Sequence, residues 1–174
     1  VDGGDYGYQF RYGRSGRHPL QAWDGELPGT LPMVAGTGEA PCEVIVHRGA
    51  LWVASWGDNR LERYTLVPSG ASFTARREVV VQGDRDFRPV GLAVGPDGSL
   101  YFTDWVDRSY ALHKRGRIWR LESKNAANHD AWPAPTEAEK RAEQLRATTD
   151  LAAIRAAFVD VDPFVGQAGV SGLA

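Results

Sequence analysis

The stretch RPVGLAVGPDGSLYFTDW, from Arg88 to Trp105, decides the fold of this chain. It contains an apolar run, a turn of glycine, proline and aspartate, and a second apolar run that ends in Asp104 and Trp105. Apolar runs on both sides of a glycine-containing turn predict a β-hairpin. The turn before Gly98 therefore lies at one end of the hairpin, and Arg88 and Asp104 lie together at the other.

An earlier segment repeats this pattern. APCEVIVHRGALWVASWGDNRLERYTL, from Ala40 to Leu66, has the same order of proline, apolar run, glycine turn, apolar run, tryptophan and arginine-containing third run. Gly49 and Gly98 take equivalent places, and their separation is that of successive propeller blades. The strands predicted from alternation and turn chemistry are Cys42–His47, Leu51–Ser55, Arg60–Leu66, Phe73–Gln82, Val90–Val94, Leu100–Asp104 and Arg117–Leu121.

These strands predict a mainly β fold, namely a partial β-propeller of about two four-stranded antiparallel blades. The second blade has no visible fourth strand in the sequence. A plain meander or a sandwich is the alternative, and the repeat of turn positions as well as apolar positions favours the propeller.

The sequence changes character after Glu122. Thr136 and Glu139 form a capping-box pattern that predicts a helix to about Arg146. A second helix is predicted over Leu151–Phe158, and Asp162-Pro163 predicts the start of a third, which glycines at 166, 169 and 172 weaken. The predicted domains are propeller blades at 1–122, a linker at 123–135 and a short α-helical tail like the start of HEAT repeats at 136–174.

Composition limits the function. The chain has 174 residues and a net charge of -2, with acidic and basic residues mixed, so we expect no affinity for nucleic acid. No stretch is long enough to span a membrane, and no signal peptide is visible. Because the chain starts without methionine, we expect a fragment of a longer protein. A single cysteine, Cys42, allows no internal disulfide and is predicted to be a small buried residue.

The loops at the Arg88 end of the hairpins are the predicted functional face. The loop from Trp105 to Ile118 is longer than its equivalent from Trp56 to Leu61, and extra loop length in a repeat fold is where binding residues concentrate. The turn at Gly95–Gly98 and the strand end at His47 are assigned to a structural face.

Arg88 is the strongest candidate on the functional face, because its planar fork suits a carboxylate or phosphate group. The alternative is a pair with Asp84, Asp86 or Asp104 that holds the loop. The other candidate cofactor-binding or substrate-binding residues are Asp86, Asp104, Lys114 and Arg115. His113 is a candidate proton acceptor, although a surface histidine is the commoner case, and His18 and His47 rank lower.

Two further groups of residues on this face, two tryptophans and six carboxylates, could contribute to binding. Trp56 and Trp105 occupy equivalent places and either pack between blades or form a platform for a sugar. Six carboxylates could offer oxygen ligands to Ca²⁺, but their spacing matches no metal loop, so no metal site is predicted; they are Glu39, Asp58, Asp84, Asp86, Asp104 and Asp107. The sequence has no CxxCH haem-attachment motif, nor a nucleotide-binding or hydrolase fingerprint.

These residues resemble a known superfamily. GGDYGYQF (Gly3–Phe10) resembles the Gly-Asn-Tyr-Gly-Trp-Pro element of glucose/sorbosone dehydrogenase-like propellers, and FRPVGLAVGPDGSLYFTDW with GRIWRLE resembles their closing blade. GRSGRHPLQAWDGELPGTLPMVAGTGEAP, the long loop and the helical tail are similar to the planctomycete–verrucomicrobial type of membrane-bound dehydrogenase. In that group a propeller precedes HEAT repeats and often a cytochrome c domain.

The resemblance implies an exported, periplasmic or extracytoplasmic parent that oxidises a sugar or alcohol and passes electrons to a quinone or a c-type haem. It implies pyrroloquinoline quinone and Ca²⁺ as cofactors, with arginines on the quinone carboxylates. The family's Arg-x-Arg-Asp element matches Asp86-Phe87-Arg88-Pro89, where Arg88 is kept and Asp86 replaces the first arginine. The fragment alone is expected to be inactive. A non-catalytic NHL-like propeller with helical repeats that binds glycans or proteins is the rival interpretation, and a lactonase-type hydrolase is a third.

Overall fold

A computed structural model describes residues 3–8, 22–23, 25, 29–124 and 131–173, with the backbone alone at 7–8 and 22–23. The predictions at His18, at the end of GGDYGYQF and at residues 125–130 of the predicted linker lie outside the described residues. The fold is mainly β, with two larger antiparallel sheets and three short helices.

The first larger sheet has four strands in sequence order, β3 to β6. They are β3 (Pro41–His47), β4 (Ala50–Ser55), β5 (Arg60–Ser69) and β6 (Ser72–Gln82). The β3–β4 register pairs His47 with Ala50, and the two turn residues between them, Arg48 and Gly49, both have positive φ, as a tight hairpin turn requires. The four strands predicted from alternation are confirmed, and β5 continues three residues further than predicted.

The second larger sheet has three antiparallel strands: β7 (Pro89–Val94), β8 (Leu100–Asp104) and β9 (Arg117–Leu121). The three strands predicted for this sheet are confirmed, and β9 is its edge strand, because the described residues add no fourth strand, as none is visible in the sequence. A further ribbon of β1 (Gly7–Tyr8) and β2 (Ala22–Trp23) was not predicted, because two residues are too few to show alternation.

Most of both larger sheets belongs to one compact unit, residues 35–67 and 75–133, whereas the end of β5 and the start of β6 fall in residues 68–74, which are assigned to the other unit. The facing sides of the two sheets share a core, because period-two alternation puts the large apolar residues of each sheet on one face. This core is formed by Trp52, Ala54, Leu61, Phe87, Leu92, Leu100 and Phe102. The sheets stay separate, and β3 meets β7 through Glu43, whose Oε2 accepts from the Leu92 N–H at 2.5 Å.

One buried carboxylate organises the four-stranded sheet. Glu62 is fully buried, and its Oε2 accepts from the Gly38 N–H at 3.0 Å, Ser55 Oγ at 2.9 Å and Tyr64 Oη at 2.8 Å. Arg60 pairs with its other oxygen at 2.7 Å. A buried charge needs such partners, so Glu62 fixes the segment before β3 onto the sheet.

Cys42 is exposed, and the prediction of a buried thiol is wrong. The residue lies at the start of β3, an edge strand whose first four residues are all exposed, and a register irregularity falls between Pro41 and Glu43. Local sequence alone cannot distinguish an edge strand from an interior one.

The other compact unit contains residues 1–34, 68–74 and 134–174. Its helices are α1 (Glu137–Ala147), α2 (Leu151–Ala157) and α3 (Pro163–Ser171). The predicted caps are confirmed: Thr136 and Glu139 form the capping box, and Asp162 caps α3. None of the helices in the described ranges is long and apolar enough to cross a membrane. The predicted domain boundaries at 122 and 136 remain predictions.

Gly169 lies where α3 approaches α2 most closely. A Cβ added there would be 2.9 Å from the Ala157 Cβ and 3.1 Å from the Ile154 carbonyl oxygen, whereas one added at Gly166 would meet only the Ala157 carbonyl oxygen, at 3.5 Å. The sequence analysis treated both glycines as helix-weakening, but packing separates them.

We expect Gly166→Ala to stabilise the helical unit by up to about 1 kcal/mol through helix propensity. Gly169→Ala gains the same propensity but forces the two helices apart, a cost of about 1 to 3 kcal/mol, so the net effect is destabilising. Thermal unfolding followed by far-ultraviolet circular dichroism compares the two variants. Equal stabilisation by both would contradict the close helix approach.

Candidate functional site

Asp104 lies where β7 begins and β8 ends, and we call this edge of the sheets, with its loops, the rim. The contacts of Asp104 hold the rim together. Its side chain is buried, with 2% of the residue exposed. Oδ1 accepts from the backbone N–H groups of Arg88 at 2.7 Å and Val106 at 2.8 Å. Oδ2 accepts from Arg117 Nε at 3.0 Å and Trp119 Nε1 at 2.9 Å. One carboxylate thus joins the start of β7, the loop after β8 and the first half of β9.

These contacts also set the protonation state of Asp104. Burial by itself raises the pKa of this carboxyl, but the hydrogen bonds from Trp119, from the N–H groups of Arg88 and Val106, and from Arg117 more than offset it. The pKa is therefore held below its ordinary value, and the group is a carboxylate at neutral pH.

Arg88 is buried, with 6% of the residue exposed. Its Nη1 donates to the carbonyl oxygens of Trp56 at 2.8 Å and Gly57 at 3.1 Å. The guanidinium carbon lies 4.8 Å from the centroid of the Trp56 ring, a cation–π distance. Arg88 therefore connects the second sheet to the loop after β4. None of the ion pairs found in the described residues joins its guanidinium to Asp84, Asp86 or Asp104.

Two loops from different sheets meet on the Trp56 ring. Tyr110, in the long loop after β8, is stacked on Trp56 with ring centroids 6.0 Å apart and an interplanar angle of 8°. Tyr110 is nevertheless 89% exposed. The Asn59 side chain adds a third link, because its Nδ2 donates to the Phe87 carbonyl oxygen at 2.6 Å. Trp56, Tyr110 and Arg88 define what we call the aromatic rim.

The start of the long loop is strained. Val106 has a φ of 70°, a value that a β-branched residue rarely adopts, and the Asp107 N–H donates to the Trp105 carbonyl oxygen across it at 2.8 Å. Such a tight turn is unfavourable and persists only where the surroundings impose it. Asp104 supplies that constraint by accepting from the Val106 N–H.

His113 and Arg115 contribute mainly to the loop itself. The His113 ring packs edge-on against Trp105 with centroids 4.7 Å apart, and its Nδ1 accepts from the Arg115 N–H at 3.0 Å. A neutral ring that accepts at Nδ1 carries its proton on Nε2, and this Nε2 is buried with no hydrogen-bond partner among the described residues. In this geometry neither nitrogen presents a free lone pair to a ligand. Arg115 pairs with Asp107.

The remaining candidates lie at the same rim with different surroundings. Asp86 is half exposed and faces Arg85 at 3.4 Å, while its carbonyl oxygen accepts from Arg117. Lys114 is exposed in the long loop and has a φ of 57°. The loops that carry Arg88, Asp86, Asp104, Lys114 and Arg115 thus lie at one rim. The side chains of Arg88 and Asp104, however, bind other groups of the rim itself. Whether any of them binds a ligand remains a prediction.

Three residues that complete the rim, Arg117, Trp119 and Asn59, were not among the predicted candidates. Arg117 and Trp119 are alternate residues of β9, so both fall on the face that carries Asp104. That periodicity was a usable signal. Tyr110 lies in the long loop that was predicted to hold binding residues, but its stacking on Trp56 could not be predicted, because the two residues are far apart in the sequence.

The described residues do not fit the cofactors that the resemblance implies. The one arginine that the resemblance assigns to the quinone carboxylates, Arg88, is not accessible to them, because its guanidinium is buried against Trp56 and donates to two carbonyl oxygens. Asp86 adds a carboxylate at the same rim, which would repel a tricarboxylate. Within the described ranges, no group of three or more histidine, cysteine or carboxylate side chains is arranged to hold a metal ion.

Comparisons with known proteins give two partial similarities. Residues 42–109 match the model of a domain of unknown function (DUF7133). A solved structure from Thermus thermophilus, described as an oxidoreductase (glucose dehydrogenase), is 27% identical with a TM-score of 0.49. That match covers 60% of this chain and 32% of the other, so the chain spans about a third of that protein's length. No curated protein matches the chain.

We expect Asp104→Asn to destabilise the sheet unit by about 2 kcal/mol, because the amide cannot accept from all four donors and its own NH2 group faces one of them. The charge of Arg117 adds little to this cost, since 41% of that side chain is exposed to water. Since folding lowers the pKa of Asp104, its stabilising effect is complete above the ordinary carboxyl range, about pH 4, and is lost as the pH falls through the folded-state value. Denaturant unfolding between neutral and acidic pH measures both effects.

The matched control is Asp86→Asn at the same rim, which should change stability by no more than about 0.5 kcal/mol. Equal stability of the two variants would contradict the assigned role of Asp104. The same holds if the free energy of unfolding changes with pH in the same way in the natural protein and in Asp104→Asn.

Proposed function

We propose that this chain forms two neighbouring blades of a sugar or alcohol dehydrogenase-like β-propeller, and that the aromatic rim receives the sugar or alcohol. The observation that carries the proposal is the meeting of two equivalent loops, one from each sheet, on the Trp56 ring. Two separate antiparallel sheets packed face to face, built from a repeated sequence, are what adjacent blades require.

The chemistry of the rim suits a polyhydroxylated ligand. An exposed aromatic face such as that of Tyr110 packs against the apolar face of a sugar ring, and the rim of a pocket supplies polar groups that fix its orientation. Lys114 and Arg108, both exposed in the same loop, are donors for hydroxyl oxygens. Arg88 would then be a positioning residue, because it fixes the Trp56 ring on which Tyr110 is stacked.

In the proposed reaction the substrate CH–OH group loses two electrons and two protons to become a carbonyl group. A quinone of the parent protein would take both electrons, or a c-type haem would take them one at a time in two successive steps, in a periplasmic or extracytoplasmic setting. The described residues supply substrate binding in this scheme, and the proton acceptor and electron acceptor would come from elsewhere in the parent. The cytochrome partner, the HEAT-like character of the helices and the location remain predictions.

A second candidate is a non-catalytic propeller scaffold that binds glycans or proteins at the same rim. The observation that favours it is the state of His113, whose nitrogens are engaged or buried. Binding would then occur without oxidation.

The test uses the longest natural polypeptide that contains this chain, in a dye-linked assay with a panel of sugars and alcohols, with and without pyrroloquinoline quinone and Ca²⁺. We expect turnover of at least one sugar or alcohol. Tyr110→Ala should raise its KM about threefold to tenfold with little change in kcat, because an aromatic contact is worth about 0.5 to 1.5 kcal/mol. Tyr110→Phe should keep the natural KM.

Leu112→Ala is the matched control, since Leu112 is equally exposed in the same loop. Absence of turnover across the whole panel, together with saturable sugar binding that Tyr110→Ala weakens, would replace the dehydrogenase by the scaffold. Natural KM values in Tyr110→Ala would remove the aromatic rim as the substrate site.

A further inference from the structure

A cavity of about 290 Å³ opens between the two larger sheets at the end opposite the aromatic rim. It lies beside the turn after β3 and the turn between β7 and β8, and its lining includes His47, Arg48 and Gly98. The sequence predicts only a structural role for this face. All of its lining residues belong to the same compact unit.

The floor of the cavity is apolar and fixed. Trp52, Leu100 and Leu121 line it, and all three belong to or pack against the core between the sheets. The Trp52 indole is held by a hydrogen bond from Nε1 to the His47 carbonyl oxygen at 3.1 Å, and the two rings lie 6.1 Å apart. A rigid aromatic floor of this kind is pre-formed for a ligand.

The walls carry balanced charge. Arg48 and Arg63 line the cavity together with Glu78 and Glu122, and Arg63 lies 3.4 Å from Glu78. Two guanidinium groups and two carboxylates leave no net charge, so an ion of either sign is attracted by one pair and repelled by the other and gains little from the walls while losing its hydration. A neutral polyol meets no such penalty, because each hydroxyl can accept from a guanidinium and donate to a carboxylate.

The size of the cavity narrows the ligand further. Small-molecule sites have volumes of about 300 to 1,000 Å³, so this cavity is at the lower limit and has room for one ring. From the apolar floor, the charge-balanced walls and the volume together, we propose that this cavity binds one neutral monosaccharide-sized polyol. The site is separate from the aromatic rim and does not depend on the function proposed for it.

The experiment follows Trp52 by ¹⁹F NMR in the natural polypeptide labelled with 5-fluorotryptophan, with Trp52→Phe to assign the signal. D-glucose and myo-inositol are titrated separately, and citrate and phosphate serve as anionic comparators. We expect both polyols to move the Trp52 signal saturably and both anions to leave it unmoved. Arg63→Gln should weaken polyol binding about tenfold or more, because it removes a charged hydrogen-bond donor.

Arg76→Gln is the matched charge control, because Arg76 is exposed on β6 and does not line the cavity; it should bind as the natural protein does. Tyr110→Ala should also leave this titration unchanged, so failure at the rim and failure here are distinguishable. Three results would overturn the proposal. The first is a Trp52 signal that neither polyol shifts at any concentration up to the solubility of the polyol, and the second is a signal that an anion shifts instead. The third is a polyol titration that is the same in Arg63→Gln as in the natural protein.

Discussion

The burial of the Asp104 carboxylate is the constraint on which the rest of the rim depends. A charge enclosed to this degree is tolerated only with counter-charge and hydrogen bonds, and four donors from three parts of the chain provide them. To reach Asp104, β9 must place Arg117 and Trp119 on one face, and Val106 must accept a positive φ. The long loop between these residues is therefore closed at its base although its tip is exposed.

The consequence is a difference between the two ends of the sheet pair. At the Asp104 end, Arg88, Asn59 and the stacked pair of Trp56 and Tyr110 connect the sheets. At the other end the short turns do not reach across, and the space between the sheets remains as a cavity. An exposed aromatic surface and an open, charge-balanced cavity are different kinds of recognition site, so the two ends support separate proposals.

Much of the fold followed from local sequence. Alternation and glycine turns predicted all seven strands of the two larger sheets, and the helices that begin after Thr136, Asp150 and Asp162 lie where helices were predicted. Two features could not be predicted locally. Cys42 is exposed because β3 is an edge strand, which depends on how the rest of the chain pairs, and the two strands of the β1–β2 ribbon are too short to show an alternating pattern.

The site was less predictable than the fold, because its contacts join residues far apart in the sequence. Arg88 lies at the rim, but its guanidinium donates to the carbonyl oxygens of Trp56 and Gly57, and no local sequence pattern predicts these contacts. The cavity near Trp52 could not be foreseen at all, since it depends on how two sheets fail to close at one end. The predicted strand order indicates which loops lie at the same edge of the sheets. The contacts that the side chains of those loops make depend on tertiary packing, which the local sequence does not show.

Amide hydrogen exchange at Arg88 and Val106 tests most directly whether Asp104 holds this rim together. In the natural protein both N–H groups should exchange slowly, at rates comparable to those of paired strand residues such as Phe102. In Asp104→Asn both should become fast together while Phe102 stays protected. If Arg88 and Val106 exchange in the natural protein as quickly as the exposed loop residue Arg108, Asp104 does not hold the rim.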